Sequence, residues 1–275
     1  MASKDMLHID QFGDGPDLTL LHGWGAQNAV WLPWARDCLG EHFRLTLIEL
    51  PGFGQSPTLE DSEQIEQDWV EAILEVMPSH THLLGWSLGG LLAQRLALRA
   101  PDRIQSLICL ASTPRFTQTD QWRWAVSPSL MGDFMHAIQA DTMATLKHFW
   151  KLQIQGSDGA RQLIKQFSQR MQDHKMPAMK GLVQGLKLLK EIDCRPQARD
   201  IQCPILWLLG EKDPLIPKEF ITEFSKIQPF AETHIIQGAA HMPFLSHPQQ
   251  TADAIKAFIL PPAEPTSFES AAAHD

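Results

Sequence analysis

The 275-residue chain contains no tyrosine, although it carries nine tryptophans and thirteen phenylalanines. Any chemistry that relies on a phenolic hydroxyl is therefore excluded. Cysteine is scarce: Cys38, Cys109, Cys194 and Cys203 are scattered without CxxC spacing, so neither a zinc site nor a disulfide framework is implied. No apolar run approaches the ~18–20 residues a membrane-spanning helix needs. The opening residues, MASKDMLHIDQFGDG, lack the charged segment and apolar run of a secretory signal. A cytoplasmic protein without a membrane anchor is the expectation. A formal charge of −9 argues against a nucleic-acid partner.

The negative charge is unevenly spread. Between Arg115 and Arg195, 12 lysines and arginines face 7 aspartates and glutamates, a local excess of five positive charges. The remainder of the chain then carries a net excess of fourteen negative charges. A basic segment on an acidic body would steer an acidic partner toward one face.

Short apolar runs with turn-rich flanks recur at 18–21, 44–50, 81–86, 104–111, 204–209 and 233–237. Their length and near-continuous apolar character suit buried parallel strands. Helical patterns at 62–77, 88–100 and 247–259 lie between them, and this alternation predicts a doubly wound, mostly parallel α/β sheet. The alternation stops between about 114 and 195, where Met, Trp, Gln and Lys recur at helical spacing. We read residues 114–195 as a helical cap inserted into a core made of 1–113 and 196–260, since long insertions in compact domains are usually functional. The tail 261–275, rich in Pro, Ala, Ser and acids, is expected to be disordered.

The sharpest chemical signal is Gly85-Trp86-Ser87-Leu88-Gly89-Gly90, a GxSxG motif between a predicted strand and a predicted helix. That context is what a nucleophile elbow of the α/β-hydrolase fold requires, because a sharp strand-to-helix turn exposes the serine hydroxyl. Serine needs a base within hydrogen-bond reach. Of twelve histidines, His241 follows the last strand in the small-residue loop QGAAHMPF, whereas its nearest competitor, His247, sits beside Pro248 at a helix start. Asp213, in LLGEKDPLIP after the strand at 204–209, completes the chain order Ser, Asp, His, with Glu211 as the close alternative acid. Its task is to fix the imidazole tautomer.

A tetrahedral intermediate needs backbone donors aimed at its oxyanion. The amide of Leu88 is one candidate and that of Trp24, in His22-Gly23-Trp24-Gly25, is the other. His22 is read as a structural histidine of that loop. No metal or organic cofactor is needed for such acyl transfer.

The segments LLHGWG, LPGFGQS, LGWSLGG, LLGEKDPLIP and GAAHMPF together resemble the pimeloyl-[acyl-carrier protein] methyl ester esterases of biotin synthesis. The likeness runs from about residue 18 to 260. It implies an α/β-hydrolase fold with a helical cap, and a carboxylic ester hydrolase that cleaves the methyl ester of a pimeloyl chain held on acyl carrier protein. It also places substrate contacts at Trp24, Ser87, Leu88, His241 and the cap stretch Phe149-Trp150-Lys151-Leu152-Gln153. Because carrier protein is acidic, the resemblance implies a basic docking face, with Lys147, Lys151, Arg161 and Lys165 as candidates. Glu49, where related enzymes often have aspartate, is expected to stay out of the chemistry. A monomer is anticipated.

Two other readings remain. A broad-specificity short-chain carboxylesterase would use the same three residues without a carrier. A non-catalytic binding protein on this fold would be expected to lose one of them. Dehalogenases and epoxide hydrolases place aspartate at the elbow, and Ser87 separates the chain from both.

Overall fold

The computed structural model describes residues 6–172 and 174–261. The tail predicted from Pro261 onward lies outside the described residues beyond that proline.

The chain begins with β1 (Ile9–Phe12), β2 (Asp17–Leu21), α1 (Leu32–Leu39), β3 (Arg44–Ile48) and α2 (Ile65–Val76). It continues through β4 (Thr81–Trp86), α3 (Leu88–Arg99) and β5 (Ile104–Leu110). Four helices follow: α4 (Pro128–Ala140), α5 (Thr142–Ile154), α6 (Ala160–Gln172) and α7 (Met179–Glu191). The sheet then resumes with β6 (Ile205–Gly210), α8 (Phe220–Phe224), β7 (Glu232–Ile236), α9 (Pro243–Ser246) and α10 (Pro248–Ile259).

Seven strands form one sheet in the order β1-β3-β2-β4-β5-β6-β7. Every neighbouring pair is parallel except β1 with β3. The central strands are buried along most of their length, as in β6, where all six residues are buried. Helices on both faces make that possible, and continuous apolar runs are the consequence. α2 buries Ile65, Trp69, Val70 and Ile73 along one stripe. α3 is buried almost all round, since it packs on β4 and β5 and lies beneath α7.

Two strands depart from the sequence reading. No apolar run predicts β1, because it is a four-residue antiparallel edge strand with no fully buried residue. The apolar run at 233–237 predicts a buried strand, yet in β7 Glu232, Thr233 and His234 are exposed and only Ile236 is buried. It forms the opposite edge of the sheet, where burial on both faces is not required.

Between β5 and β6 the chain is helical. Ser127 caps α4 by accepting from the Leu130 amide at 3.3 Å, and Asp141 caps α5 by accepting from Ala144 at 2.9 Å. The sheet order reverses at β2, where the chain crosses from β3 on one side to β4 on the other. Loops at the carboxyl ends of β2 and β4 therefore flank a crevice, the place where open α/β sheets gather their ligands. No helix among the described residues is long and apolar enough to cross a membrane.

Candidate active site

The strand-to-helix turn at Ser87 is sharp. Its φ of +56° and ψ of −115° lie outside the usual regions for a residue with a side chain, at a cost of about 1–3 kcal/mol. Hydrogen bonds on both sides hold it there: Ser87 N–H donates to Leu110 O at 3.0 Å, and Ser112 Oγ donates to Ser87 O at 2.8 Å. The turn also needs two glycines. A Cβ on Gly85 would stand 2.2 Å from Gly89 O, and one on Gly89 would stand 2.1 Å from Leu21 O.

His241 and Asp213 meet at the carboxyl ends of β7 and β6. His241 Nδ1 lies 2.8 Å from Asp213 Oδ2, and both side chains are buried. The other carboxylate oxygen, Oδ1, accepts from the amides of Leu215 at 2.8 Å and Ile216 at 3.0 Å. A carboxylate can only accept here, so Nδ1 carries the proton and Nε2 presents its lone pair. Nε2 is buried and has no hydrogen-bond partner among the described residues. Ser87 Oγ and Nε2 do not form a hydrogen bond in this structure, and such contacts often tighten only with substrate bound.

The backbone of His241 is fastened as well. Its N–H donates to Gln153 O at 3.0 Å, and its carbonyl accepts from Trp86 Nε1 at 2.9 Å. Trp86 immediately precedes Ser87, so one indole ties the elbow to the histidine loop.

The competing residues are otherwise engaged. Glu211 accepts from Gly238 N–H at 3.0 Å and lies 3.7 Å from Lys218 Nζ. His247 caps the entry to α10, with Nδ1 2.9 Å from Ser246 Oγ. His22 is fully buried: its Nδ1 donates to Gly23 O at 2.8 Å while Nε2 accepts from Leu50 N–H at 3.0 Å. That arrangement requires the neutral ring, and burial pushes its pKa down to about 4. His22 thus joins the loop after β2 to the loop after β3. Glu49 serves the same junction, accepting from the Asn28 and Gln55 amides, and burial raises its pKa.

The loop after β2 runs alongside the elbow, close enough that a Cβ on Gly23 would lie 3.2 Å from Ser87 Cβ. The amides of Trp24 and Leu88 donate to no other group among the described residues. The Trp24 indole donates to Leu182 O at 2.9 Å and meets Phe134 and Phe149 edge-on. These rings border an entirely apolar cavity of about 30 Å³, closed further by Met131, Leu186, Leu189 and Leu215. A larger open groove of about 620 Å³, lined by Arg199, Cys203 and Phe230 among others, lies toward the amino end of β6 and touches none of the candidate residues.

The predicted stretch 149–153 divides. Phe149 and Leu152 line the cavity. Trp150 does not: its indole donates to Gly25 O at 2.9 Å and packs on Phe167. Gln153 is buried and reaches the site through its backbone carbonyl alone, and Lys151 is exposed away from the cavity. The cavity walls from α4 and α7 were missed, because apolar residues at helical spacing look the same whether they face a core or a void. Lys147, Lys151, Arg161 and Lys165 are all exposed on α5 and α6, and none forms an ion pair with another described residue. No cluster of three or more potential ligands among the described residues could hold a metal ion.

A sequence profile of the alpha/beta hydrolase fold matches residues 17–248. A pimeloyl-[acyl-carrier protein] methyl ester esterase of Aeromonas salmonicida is 39% identical over 251 residues, covering 91% of this chain and 98% of that protein. One of the same name from Photobacterium profundum is 37% identical over 250 residues, covering 90% of this chain and 96% of its own. Among solved structures, an esterase from Exiguobacterium antarcticum superposes with a TM-score of 0.80 at 21% identity, covering 92% of this chain and 94% of the other.

Proposed function

We propose that this chain, which belongs to the α/β-hydrolase fold family and within it to the pimeloyl-[acyl-carrier protein] methyl ester esterases, hydrolyses the methyl ester of a pimeloyl group borne on acyl carrier protein. The observation that carries the reading is the buried His241–Asp213 pair, whose Nε2 has no partner among the described residues, on a loop tied through Trp86 to the strained serine elbow.

Ser87 Oγ attacks the ester carbonyl while His241 Nε2 takes its proton. Asp213 holds the ring in the tautomer that makes this possible and faces the imidazolium that forms. The carbonyl oxygen, now negative, is met by the amides of Trp24 and Leu88, which are free to donate. Collapse of the intermediate breaks the bond to the methoxy oxygen, and His241 returns the proton so that methanol leaves. Water, deprotonated by the same histidine, then attacks the acyl-serine and releases the pimeloyl carboxylic acid, still attached to its carrier, while Ser87 recovers its proton.

Helices α4–α7 act as a lid in this reading. Phe134, Phe149, Leu152 and Leu186 offer the methylene chain an apolar wall. The exposed cations Lys147, Lys151, Arg161 and Lys165, which form no ion pair among the described residues, offer an acidic carrier a docking face. The small volume of the cavity favours a second reading, a short-chain carboxylesterase that needs no carrier.

Comparing kcat/KM for the pimeloyl methyl ester on acyl carrier protein with that for a free short-chain ester, at low and high salt, tests the proposal. A carrier preference that shrinks as salt rises is the expected result, because charge steering is screened. Equal values for both esters at both salts would leave a general carboxylesterase.

A further inference from the structure

The loop bearing His241 is gripped from the helical insertion as well as from the sheet. Residues 153–158 close α5 and turn toward α6, and four contacts run from them to the acid and base loops. Gln153 O accepts from His241 N–H at 3.0 Å, and Ser157 Oγ accepts from Ala240 N–H at 3.0 Å. Asp158 N–H donates to Gly238 O at 3.1 Å, and Lys212, the neighbour of Asp213, donates to Asp158 Oδ1 at 3.0 Å. The approach is tight: Gly238 has a φ of +78°, and a Cβ there would stand 2.4 Å from Asp158 Oδ2.

Ser157 is the one side chain in this grip that is both buried and bonded to the residue next to His241. It is 8% exposed, and Ala240 is fully buried. The Ala240 amide has no other acceptor among the described residues. Without the hydroxyl, a buried donor would be left unpaired, and the loop could regain a partner only by shifting. Such a shift would carry the imidazole with it, while the Trp86 and Gln153 contacts keep the loop near its place.

We propose that Ser157 is a positioning residue for His241. It touches no reacting atom, and acts by fixing the path of the backbone at Ala240 so that Nε2 stands where the Ser87 proton is transferred. This role rests on the serine-esterase reading of the site but not on the carrier.

The test uses the full chain and p-nitrophenyl acetate, with active sites counted by stoichiometric phosphorylation of Ser87 by diethyl p-nitrophenyl phosphate. Ser157→Ala should lower kcat per titrated site by about tenfold or more with KM nearly unchanged, since small misplacements of a catalytic group act on the chemical step. Ser157→Thr keeps an oxygen acceptor and should restore kcat to within about threefold of the parent on the same argument. An unchanged kcat per site in the alanine variant would overturn the proposal. So would an equal loss in the threonine variant, or a loss confined to KM or to the number of titratable sites. If the alanine variant does not fold, Ser157→Cys offers a weaker acceptor of similar shape, and parental kcat per site there would overturn the role equally. A parent that turns over no ester would sink the esterase reading and this role together, whereas normal turnover in parent and variant alike would sink only the role.

Discussion

Replacing Asp213 with asparagine separates the fold's need for this side chain from the chemistry's. In the parent, Oδ1 accepts from the amides of Leu215 and Ile216, while Oδ2 faces His241 Nδ1 at 2.8 Å. An asparagine keeps its oxygen on the two amides, because turning the NH2 toward them would set donors against donors. Its NH2 then points at Nδ1 and makes that nitrogen an acceptor. The ring proton moves to Nε2, and the base is lost to Ser87. For a triad of this geometry the expected fall in kcat is about 10⁴-fold, which corresponds to about 5.4 kcal/mol of transition-state stabilisation. Stability should change little, since both backbone bonds persist. Asp213→Ala would instead strand two amides at about 1–3 kcal/mol each. Steady-state hydrolysis of p-nitrophenyl acetate and the urea midpoint, measured on both variants, give the comparison. An asparagine variant within tenfold of the parent would refute the tautomer argument, and with it the assignment of Asp213.

Leu152→Trp should fill the cavity beside Trp24 and lower kcat/KM for a pimeloyl-length ester by at least about tenfold while sparing an acetate ester, and equal effects on both would show that the acyl chain lies elsewhere. His22 gives a pH signature: its folded pKa of about 4 lies below the ordinary 6.5, so the unfolded chain takes the proton first. Its contribution is complete above about pH 6.5 and is lost as pH falls toward 4, reaching about 3 kcal/mol. Urea midpoints across that window should fall more steeply for the parent than for His22→Asn, and parallel curves would contradict the neutral, doubly bonded ring.

The parts of this molecule that could be read from sequence are those whose physics is local. β4, β5 and β6 are buried along most of their length, so each carries a run of apolar residues, and the elbow is recognisable because a strand, a GxSxG turn and a helix follow one another directly from Thr81 to Arg99. β1 could not be read in this way, because pairing with β3 at an edge asks for no apolar run. The stretch 149–153 shows a different limit. Successive residues on a helix point about 100° apart, so five in a row cannot share one face. Phe149 and Leu152, three apart, look into the cavity, Trp150 and Gln153 look into the packed interior, and Lys151 looks outward. The Asp213–His241 contact spans 28 residues of chain, and its chain order was legible while its neighbours were not. Ser157 has no sequence signal at all: a serine in the run Gly156-Ser157-Asp158-Gly159 reads as any turn until the partner amide is seen.

The insertion between β5 and β6 does more than roof a cavity. Its Phe149 and Leu152 line the apolar chamber, while in the same helix Gln153 O holds the His241 amide, and the turn that follows holds Ala240. Part of the chamber wall and part of the support of the His241 loop thus lie on one helix, offset by a single residue. A displacement of α5 large enough to admit a methylene chain into a space of about 30 Å³ must either pivot about Gln153 or carry the histidine loop with it. The first alternative leaves the base in register while α4, with exposed Leu130 and half-buried Phe134, swings away. Two amide bonds and an indole contact favour it, since breaking them exposes the reacting centre to loss of alignment, whereas α4 is tied to the sheet by no comparable contact to the loops of Asp213 or His241 among the described residues. In the proposed reading, a pivot of α5 about Gln153 that opens the α4 side is therefore the access that keeps Nε2 in place for the Ser87 proton.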